Sequence, residues 1–224
     1  MNIEIKNVTK NFGKKTVLRD LSFTAHQGQC IGILGENGSG KSTLFGVLTG
    51  LIGGFGSFLC DGTDLMTNKK KRDETVGFVP QSPPLLNELS AWDNLRLWYS
   101  REDLKRELSG GELKMLGIDE YIKVPVNKMS GGMKKRLAIG CCIANSPSVL
   151  LLDEPTSALD LICKEKIYSY LRSFKENGGI IIIATHDVYE LRLCDEIYVL
   201  SDGALSHYNG EKNTDDLIKA LKND

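Results

Sequence analysis

Residues 35–42 of this 224-residue chain read Gly-Glu-Asn-Gly-Ser-Gly-Lys-Ser and fit the pattern G-x-x-x-x-G-K-[ST]. They follow a short apolar run, Cys30 to Leu34, and precede a plausible helix, Lys41 to Thr49. A strand, a loop and a helix in this order form the context that the motif requires. Glycines let the backbone curl so that N–H groups point inward, and the helix N-terminus adds partial positive charge. The loop is therefore predicted to hold a triphosphate.

Two side chains of this loop are predicted to bind different parts of the triphosphate and its metal ion. Lys41 would place its cation against the β- and γ-phosphates, and the Ser42 hydroxyl would coordinate Mg²⁺. A structural glycine turn with a chance Lys-Ser pair is the alternative, and spacing and context together disfavour it. The predicted nucleotide-binding positions of the loop are Gly35, Asn37, Gly38, Ser39, Gly40, Lys41, Ser42 and Thr43.

A second apolar run, Val149 to Leu152, ends in two consecutive carboxylates, Asp153 and Glu154. Ligands of an open α/β sheet bind at the carboxyl ends of its strands, so both carboxylates are predicted beside the phosphate loop. Consecutive residues of a strand point in different directions and can serve different purposes. We assign Asp153 to Mg²⁺ and Glu154 to the attacking water as general base.

The remaining apolar pattern predicts an α/β fold with a mostly parallel sheet. Near-alternating residues from Ile3 to Ala25 indicate an antiparallel hairpin with one wet face. Later strands alternate with helical stretches, which is typical of a parallel sheet covered by helices. The predicted strands are 76–79, 149–152, 180–184, 196–200 and 204–208, and the predicted helices are near 159–176, 187–193 and 213–224.

Strand signals stop between Ser82 and Met129, and apolar residues recur there at helical spacing. We interpret residues 82–129 as a helical subdomain inserted in a single domain that spans residues 1–224. The stripe containing Trp92 and Trp98 fits either a docking surface or ordinary core packing.

Composition limits the partners. Lys+Arg 28 against Asp+Glu 29 gives a net charge of -1, so no general basic field attracts nucleic acid and none is expected as a partner. The basic run 69–72 is interpreted as a solvated turn.

The N-terminus lacks the pattern of a secretory signal, and the apolar runs are shorter than the roughly 20 residues of a membrane helix. Six scattered cysteines fit a reducing compartment, so a cytoplasmic location is expected.

The segment 128–137, Lys-Met-Ser-Gly-Gly-Met-Lys-Lys-Arg-Leu, precedes the acidic strand by one helix. It resembles the signature segment of ATP-binding cassette (ABC) proteins. Gln81, the segment Ser157 to Asp160, and His186 are similar in order and spacing to the Q-loop, D-loop and switch histidine of that family. The resemblance spans nearly the whole chain, and Met133 makes it similar to transporters of the drug-exporter kind.

Leu108-Ser109-Gly110-Gly111-Glu112 is closer in letters to the usual signature. It lies too far upstream of Asp153 and lacks the basic helix that follows the segment at 128–137. We therefore assign the signature to Ser130 and interpret residues 109–111 as a turn between helices.

The resemblance implies that two cassettes, identical or paralogous, pack head to tail. ATP in the phosphate loop of one would then contact Ser130, Gly131 and Gly132 of the other. Each of the other family positions carries an implied role. Phe12 would stack on adenine, or else fill the hairpin core; Gln81 would reach Mg²⁺ and take part in catalysis; Asp160 would contact nucleotide; and His186 would contact the γ-phosphate.

The leading functional prediction is the ATPase subunit of a transporter, which powers substrate movement through separate transmembrane permease subunits. Such a chain would lie at the cytoplasmic face of the membrane through its partner. Two alternatives remain at this point: a soluble ABC ATPase in cofactor assembly or another non-transport role, and a self-sufficient P-loop kinase.

Overall fold

The computed structural model describes residues 1–222. The last two residues of the predicted 213–224 helix, Asn223 and Asp224, lie outside this range. The strands are β1 (Asn2–Phe12), β2 (Lys15–His26), β3 (Cys30–Leu34), β4 (Phe55–Cys60), β5 (Thr63–Asp64), β6 (Val76–Val79), β7 (Val149–Asp153), β8 (Ile180–Thr185), β9 (Glu196–Ser201) and β10 (Ala204–Tyr208). The helices are α1 (Lys41–Leu48), α2 (Lys69–Thr75), α3 (Ala91–Leu95), α4 (Arg101–Gly110), α5 (Glu112–Met115), α6 (Gly131–Cys142), α7 (Leu161–Glu176), α8 (Val188–Leu191) and α9 (Thr214–Lys222).

The strands form two sheets. The first is antiparallel, with the order β2-β1-β4-β5. The second has the order β10-β9-β3-β8-β7-β6, in which β10 alone is antiparallel to its neighbour. The parallel strands come from the continuous apolar runs of the sequence, which are typical of strands buried on both faces. This arrangement confirms the predicted α/β fold class.

Both faces of the second sheet are covered. Leu150 and Leu152 of β7 point into a core shared with the helices, whereas Val149 and Leu151 point into a core shared with α1 and the first sheet. Successive side chains of a strand face opposite sides, so one apolar strand serves two cores. The sheet is thereby fixed between layers, and its carboxyl edge has a stable position.

The segment between β6 and β7 contains helices α3, α4 and α5, as the sequence predicted. Ser90 and Ser100 begin α3 and α4 by accepting hydrogen bonds from backbone N–H groups of the first turn. The Trp stripe divides: Trp92 packs on the core, whereas Trp98 is exposed. Ser109 and Gly110 close α4 and Gly111 joins it to α5, so the lookalike segment does lie at a helix junction.

Three elements differ from expectation: β4 and the two-residue strand β5 were not predicted, and residues 69–72 belong to a helix. The strand β4 was missed, because its Phe-Gly-Ser-Phe-Leu-Cys sequence has Gly56 at φ 112° and no regular alternation. The basic run 69–72 is the start of α2 and not a solvated turn, since Asn68 caps it by accepting the Lys71 N–H. Its last member, Arg72, is buried against Gly50 and donates to the carbonyl oxygens of Leu65 and Met66.

Among the described residues, no helix combines the length and apolar character that a membrane crossing demands. All six cysteines are free thiols. Most are buried in the cores, as small apolar residues are.

We predict that Arg72→Ala destabilises the protein by about 1.5–3 kcal/mol, because it removes hydrogen bonds from a charged group to the buried carbonyl of Leu65 and the partly buried carbonyl of Met66. Lys70→Ala is the matched control, because Lys70 lies exposed on the same helix. Urea unfolding monitored by fluorescence would measure both. Equal effects of the two substitutions would show that Arg72 is as solvated as its neighbours.

Candidate functional site

The phosphate loop joins β3 to α1 and depends on its glycines. At Gly35 a Cβ would lie 2.5 Å from the Ser39 hydroxyl and 2.8 Å from the Leu200 carbonyl oxygen, so a side chain has no room. Gly38 and Gly40 have φ values of 86° and 113°, which other residues rarely adopt. The loop thus has the tight path that brings backbone N–H groups toward a bound phosphate.

Lys41 begins α1 and is buried within the loop. Its Nζ donates to the carbonyl oxygens of Gly35 at 2.6 Å and Glu36 at 2.9 Å. Burial lowers the pKa of Lys41, and the nearby charges of Glu154 and Asp153 oppose that shift. The ammonium group of Lys41 is thus held inside the loop by two carbonyl oxygens, near the charges of Glu154 and Asp153.

Two carboxylates at the end of β7 adjoin this loop. Asp153 is buried, and burial raises its pKa, while a hydrogen bond from Ser42 and the charges of Lys41 and Lys135 act in the opposite direction. The charge of Glu154 raises the pKa of Asp153 further. The two carboxylates are therefore close enough to interact, and the ammonium groups of Lys41 and Lys135 lie near Asp153.

Glu154 connects three segments of the chain. Its Oε2 accepts a hydrogen bond from Gln81 Nε2 at 2.9 Å, and its Oε1 lies 2.9 Å from His186 Nδ1. Its backbone has φ 47°, a strained value for a side chain of this size, and its N–H donates to the Ala184 carbonyl. Gln81, Glu154 and His186, which the sequence predicted separately, form one hydrogen-bonded group.

The donor set at this edge suits Mg²⁺. The hydroxyl of Ser42 lies close enough to Asp153 to lower the pKa of that carboxyl group, and oxygen ligands of this kind are those the ion prefers. In the described part of the chain, the buried Ser39 hydroxyl has no hydrogen-bond partner, which fits a loop shaped for further polar contacts. The residues present therefore fit ATP and Mg²⁺.

The signature residues lie elsewhere, at the start of α6. The hydroxyl of Ser130 caps the helix by accepting an N–H of its first turn. The nearest side chains to Gly131 and Gly132 are Leu159 and Cys163, which flank the start of α7. A Cβ at Gly132 would lie 2.5 Å from the Cys163 sulfur, so this glycine permits close packing of α6 on α7. None of the atoms nearest to Gly131 and Gly132 in the described part of the chain belongs to the phosphate loop.

Two further predicted residues occupy exposed positions. Asp160 caps α7 by accepting the Cys163 N–H at 2.8 Å, which lowers the pKa of its carboxyl group. Phe12 ends β1 with 51% of its surface exposed, and the Lys10 ammonium lies 4.7 Å from its ring centroid. This ring is not a hairpin core residue, because half of it faces solvent.

Three residues near the acidic edge were missed by sequence reasoning. Lys135, Thr156 and Glu190 are all buried, with Thr156 and Glu190 hydrogen-bonded to each other. Burial lowers the pKa of Lys135, and the charges of Asp153, Glu190 and Glu154 oppose this shift. The one available signal was their proximity in sequence to the signature, the acidic pair and His186.

Comparison with known proteins gives consistent results. The family described as ABC transporter matches residues 18–157. The chain is 32% identical to the lantibiotic transport ATP-binding protein SrtF of Streptococcus pyogenes, over 96% of this chain and 95% of that protein. It is 37% identical to the Nod factor export ATP-binding protein I of Sinorhizobium fredii, over 90% of this chain and 60% of that longer protein.

A solved structure agrees with these relatives. The dimeric structure of a post-hydrolysis state of the ATP-binding cassette MJ0796, bound to ADP and Pi, matches with a TM-score of 0.81 at 30% identity. The match covers 93% of this chain and 100% of the other.

Fold and site together define an ATPase of the P-loop class that uses ATP with Mg²⁺. Within that class, the chain belongs to the ABC transporter family, as an ATP-binding subunit. The comparisons favour this function over the soluble ABC ATPase and the P-loop kinase.

Proposed function

We propose that this chain powers an export transporter by binding and hydrolysing ATP at the edge formed by the phosphate loop, Gln81, Glu154 and His186. The observation that carries the proposal is the hydrogen-bonded group of Gln81, Glu154 and His186 at the carboxyl ends of three neighbouring strands. The names of two relatives, which refer to lantibiotic transport and Nod factor export, support the transport role.

In this proposal, the loop residues hold the triphosphate through backbone N–H groups. Lys41 would exchange its carbonyl partners for the β- and γ-phosphates, and Ser42, Asp153 and Gln81 would hold Mg²⁺. The metal ion, when bound, supplies charge neutralisation at the phosphate oxygens. Thr43, the third residue of α1, lies in the first turn of the helix whose N-terminus would receive the anion.

Glu154 is the proposed general base. Its two carboxylate oxygens already have separate partners, Gln81 on one and His186 on the other, so the side chain has a fixed direction. Fixing a base in this way reduces the reorganisation needed when water loses its proton. His186 is more than half exposed and so remains accessible to a γ-phosphate.

A second cassette, identical or paralogous, completes the site. Ser130, Gly131 and Gly132 of one copy would contact the ATP held by the other, because the tip of α6 provides a helix N-terminus for an anion. Asp160 lies near this tip and would reach across the same interface. Phe12 would stack on adenine with its exposed face.

We further propose that residues 1–224 act as one ABC ATPase domain, with residues 82–129 as its helical subdomain. The helices α3, α4 and α5 between β6 and β7 support this organisation. Transmembrane permease subunits would hold the chain at the cytoplasmic face of the membrane and move the substrate.

Glu154→Gln is expected to retain ATP binding and to lose turnover by about a hundredfold or more, because the amide cannot accept the proton from water. ATP should then trap the protein as dimers. Lys41→Ala should instead weaken nucleotide binding itself. Fluorescent nucleotide titration, phosphate release and size-exclusion chromatography measure the three properties, and an active Glu154→Gln protein would remove Glu154 as the base.

Ser130→Ala is expected to lower ATPase activity by about tenfold, whereas Ser109→Ala should leave it unchanged. The second substitution is the matched control, because Ser109 stands in the lookalike segment at the end of α4. The specific activity of the parent protein should rise with protein concentration, since two copies form each site. A constant specific activity would contradict pairing.

The transport role is tested by gentle detergent extraction of native membranes and isolation of the tagged chain. A protein with multiple membrane-spanning helices should co-purify, and soluble ATPase partners alone would contradict the proposal. Lys41→Ala serves as the control, because it should keep the membrane partner while losing nucleotide binding.

A further inference from the structure

A buried carboxylate outside the assigned site is bonded to the segment that carries Glu154. Glu190 Oε1 accepts hydrogen bonds from the backbone N–H of Thr156 at 2.7 Å and from the Thr156 hydroxyl at 2.5 Å. Glu190 is 1% exposed and Thr156 is 0% exposed. Buried carboxylates are rare and costly unless hydrogen-bonded, and Oε2 of Glu190 has no hydrogen-bond partner in the described part of the chain, so the two bonds from Thr156 to Oε1 hold this side chain.

The two residues belong to segments whose relative position matters for hydrolysis. Thr156 lies two positions after Glu154, and Glu190 lies four positions after His186 on the short helix α8. The Glu190–Thr156 hydrogen bonds therefore tie the turn after β7 to the segment after β8, the same two segments that carry Glu154 and His186.

The turn after β7 needs such a constraint. Glu154 has φ 47° and Ala158 has φ 58°, and strained backbone persists only where the surroundings hold it in place. Tyr168 of α7 adds a third contact, because its hydroxyl lies 3.1 Å from that of Thr156. Thr156 thus joins α7, α8 and the acidic turn.

The charge of Glu190 also acts on a lysine of the signature helix, while burial raises the pKa of Glu190 itself. Lys135 of α6 is buried beside the acidic edge, and its Nζ lies 3.5 Å from the carbonyl oxygen of Pro80, next to Gln81. The carboxylates of Asp153, Glu190 and Glu154 all act on this lysine. Glu190, Asp153 and Glu154 therefore all lie near the same buried lysine.

We propose that Glu190 is a positioning residue for ATP hydrolysis, which holds the Thr156 turn against α8 and thereby keeps Glu154 facing His186. The inference rests on the proposed role of Glu154 as general base. Glu190 itself does not touch the reacting atoms.

The test uses the full chain and compares Glu190→Met with Glu190→Gln. Methionine has a similar length and provides no oxygen acceptor, whereas glutamine retains a carbonyl oxygen for Thr156. Glu190→Met should lower kcat by about tenfold and leave KM for ATP within about twofold, since the phosphate loop is unchanged. Glu190→Gln should keep kcat within about threefold of the parent value.

A spectroscopic readout separates positioning from a general structural effect. The chain has three histidines, His26, His186 and His207, so their ring NMR signals can be assigned by substitution. In Glu190→Met the His186 signal should move toward its position in Glu154→Gln, while the His26 and His207 signals stay in place. Where Glu190→Met does not fold, Thr156→Val should give the same changes, with Thr156→Ser as the control that keeps the hydroxyl.

Two results would overturn the inference: parental kcat in a folded Glu190→Met or Thr156→Val protein, or a lowered kcat with an unmoved His186 signal. Glu154→Gln distinguishes this failure from that of the proposed function. If Glu154→Gln is inactive and Glu190→Met is fully active, only the role of Glu190 is wrong. If Glu154→Gln is active, the general base itself is misassigned.

Discussion

The parallel pairing of β6, β7 and β8 is the constraint on which the site depends. Val79 lies opposite Leu152, and Asp153 lies opposite Ala184, so the three strands end at one level of the sheet. Gln81, Glu154 and His186 each follow one of these strands by one or two positions. His186 and Gln81 lie 32 and 73 positions from Glu154 in the sequence. Because the strands that precede them end side by side, both side chains reach the carboxylate oxygens of Glu154.

Burial of the sheet on both faces gives this edge its electrostatic character. Asp153, Lys41 and Lys135 are all buried. Burial raises the pKa of Asp153 and lowers the pKa of both lysines, because it disfavours the charged form of each group. Their opposite charges act against these shifts, so the acid and base groups stabilise one another in the charged state. A surface with the same residues would lack this coupling, because water and salt would screen it.

Sequence reasoning succeeded where local pattern and chemistry coincide. The phosphate loop and the acidic pair each follow a continuous apolar run. Such a run predicts a buried strand, and the end of the run marks the carboxyl end of that strand, where ligands of an α/β sheet bind. It failed where a tertiary contact decides the outcome. The burial of Arg72 depends on its contact with Gly50, 22 positions away, and on the carbonyls of Leu65 and Met66, and nothing in a run of four basic residues indicates these contacts. Glu190 was missed for the same reason, since its partner lies 34 positions away.

Helix α6 connects the signature residues, which the proposed dimer would place against the partner's ATP, to the acidic edge of its own chain. Its tip carries Ser130, whereas Lys135, about one turn and a half further along, is buried beside Asp153, Glu154 and Glu190 of the same chain. A rigid helix cannot move its tip without moving that lysine relative to the carboxylates. In the proposed dimer, contact of Ser130 with the partner's nucleotide would therefore be felt at the acidic edge of its own chain. Such a linkage is a physical reason for two sites to act together, and it requires only the helix and its buried charges.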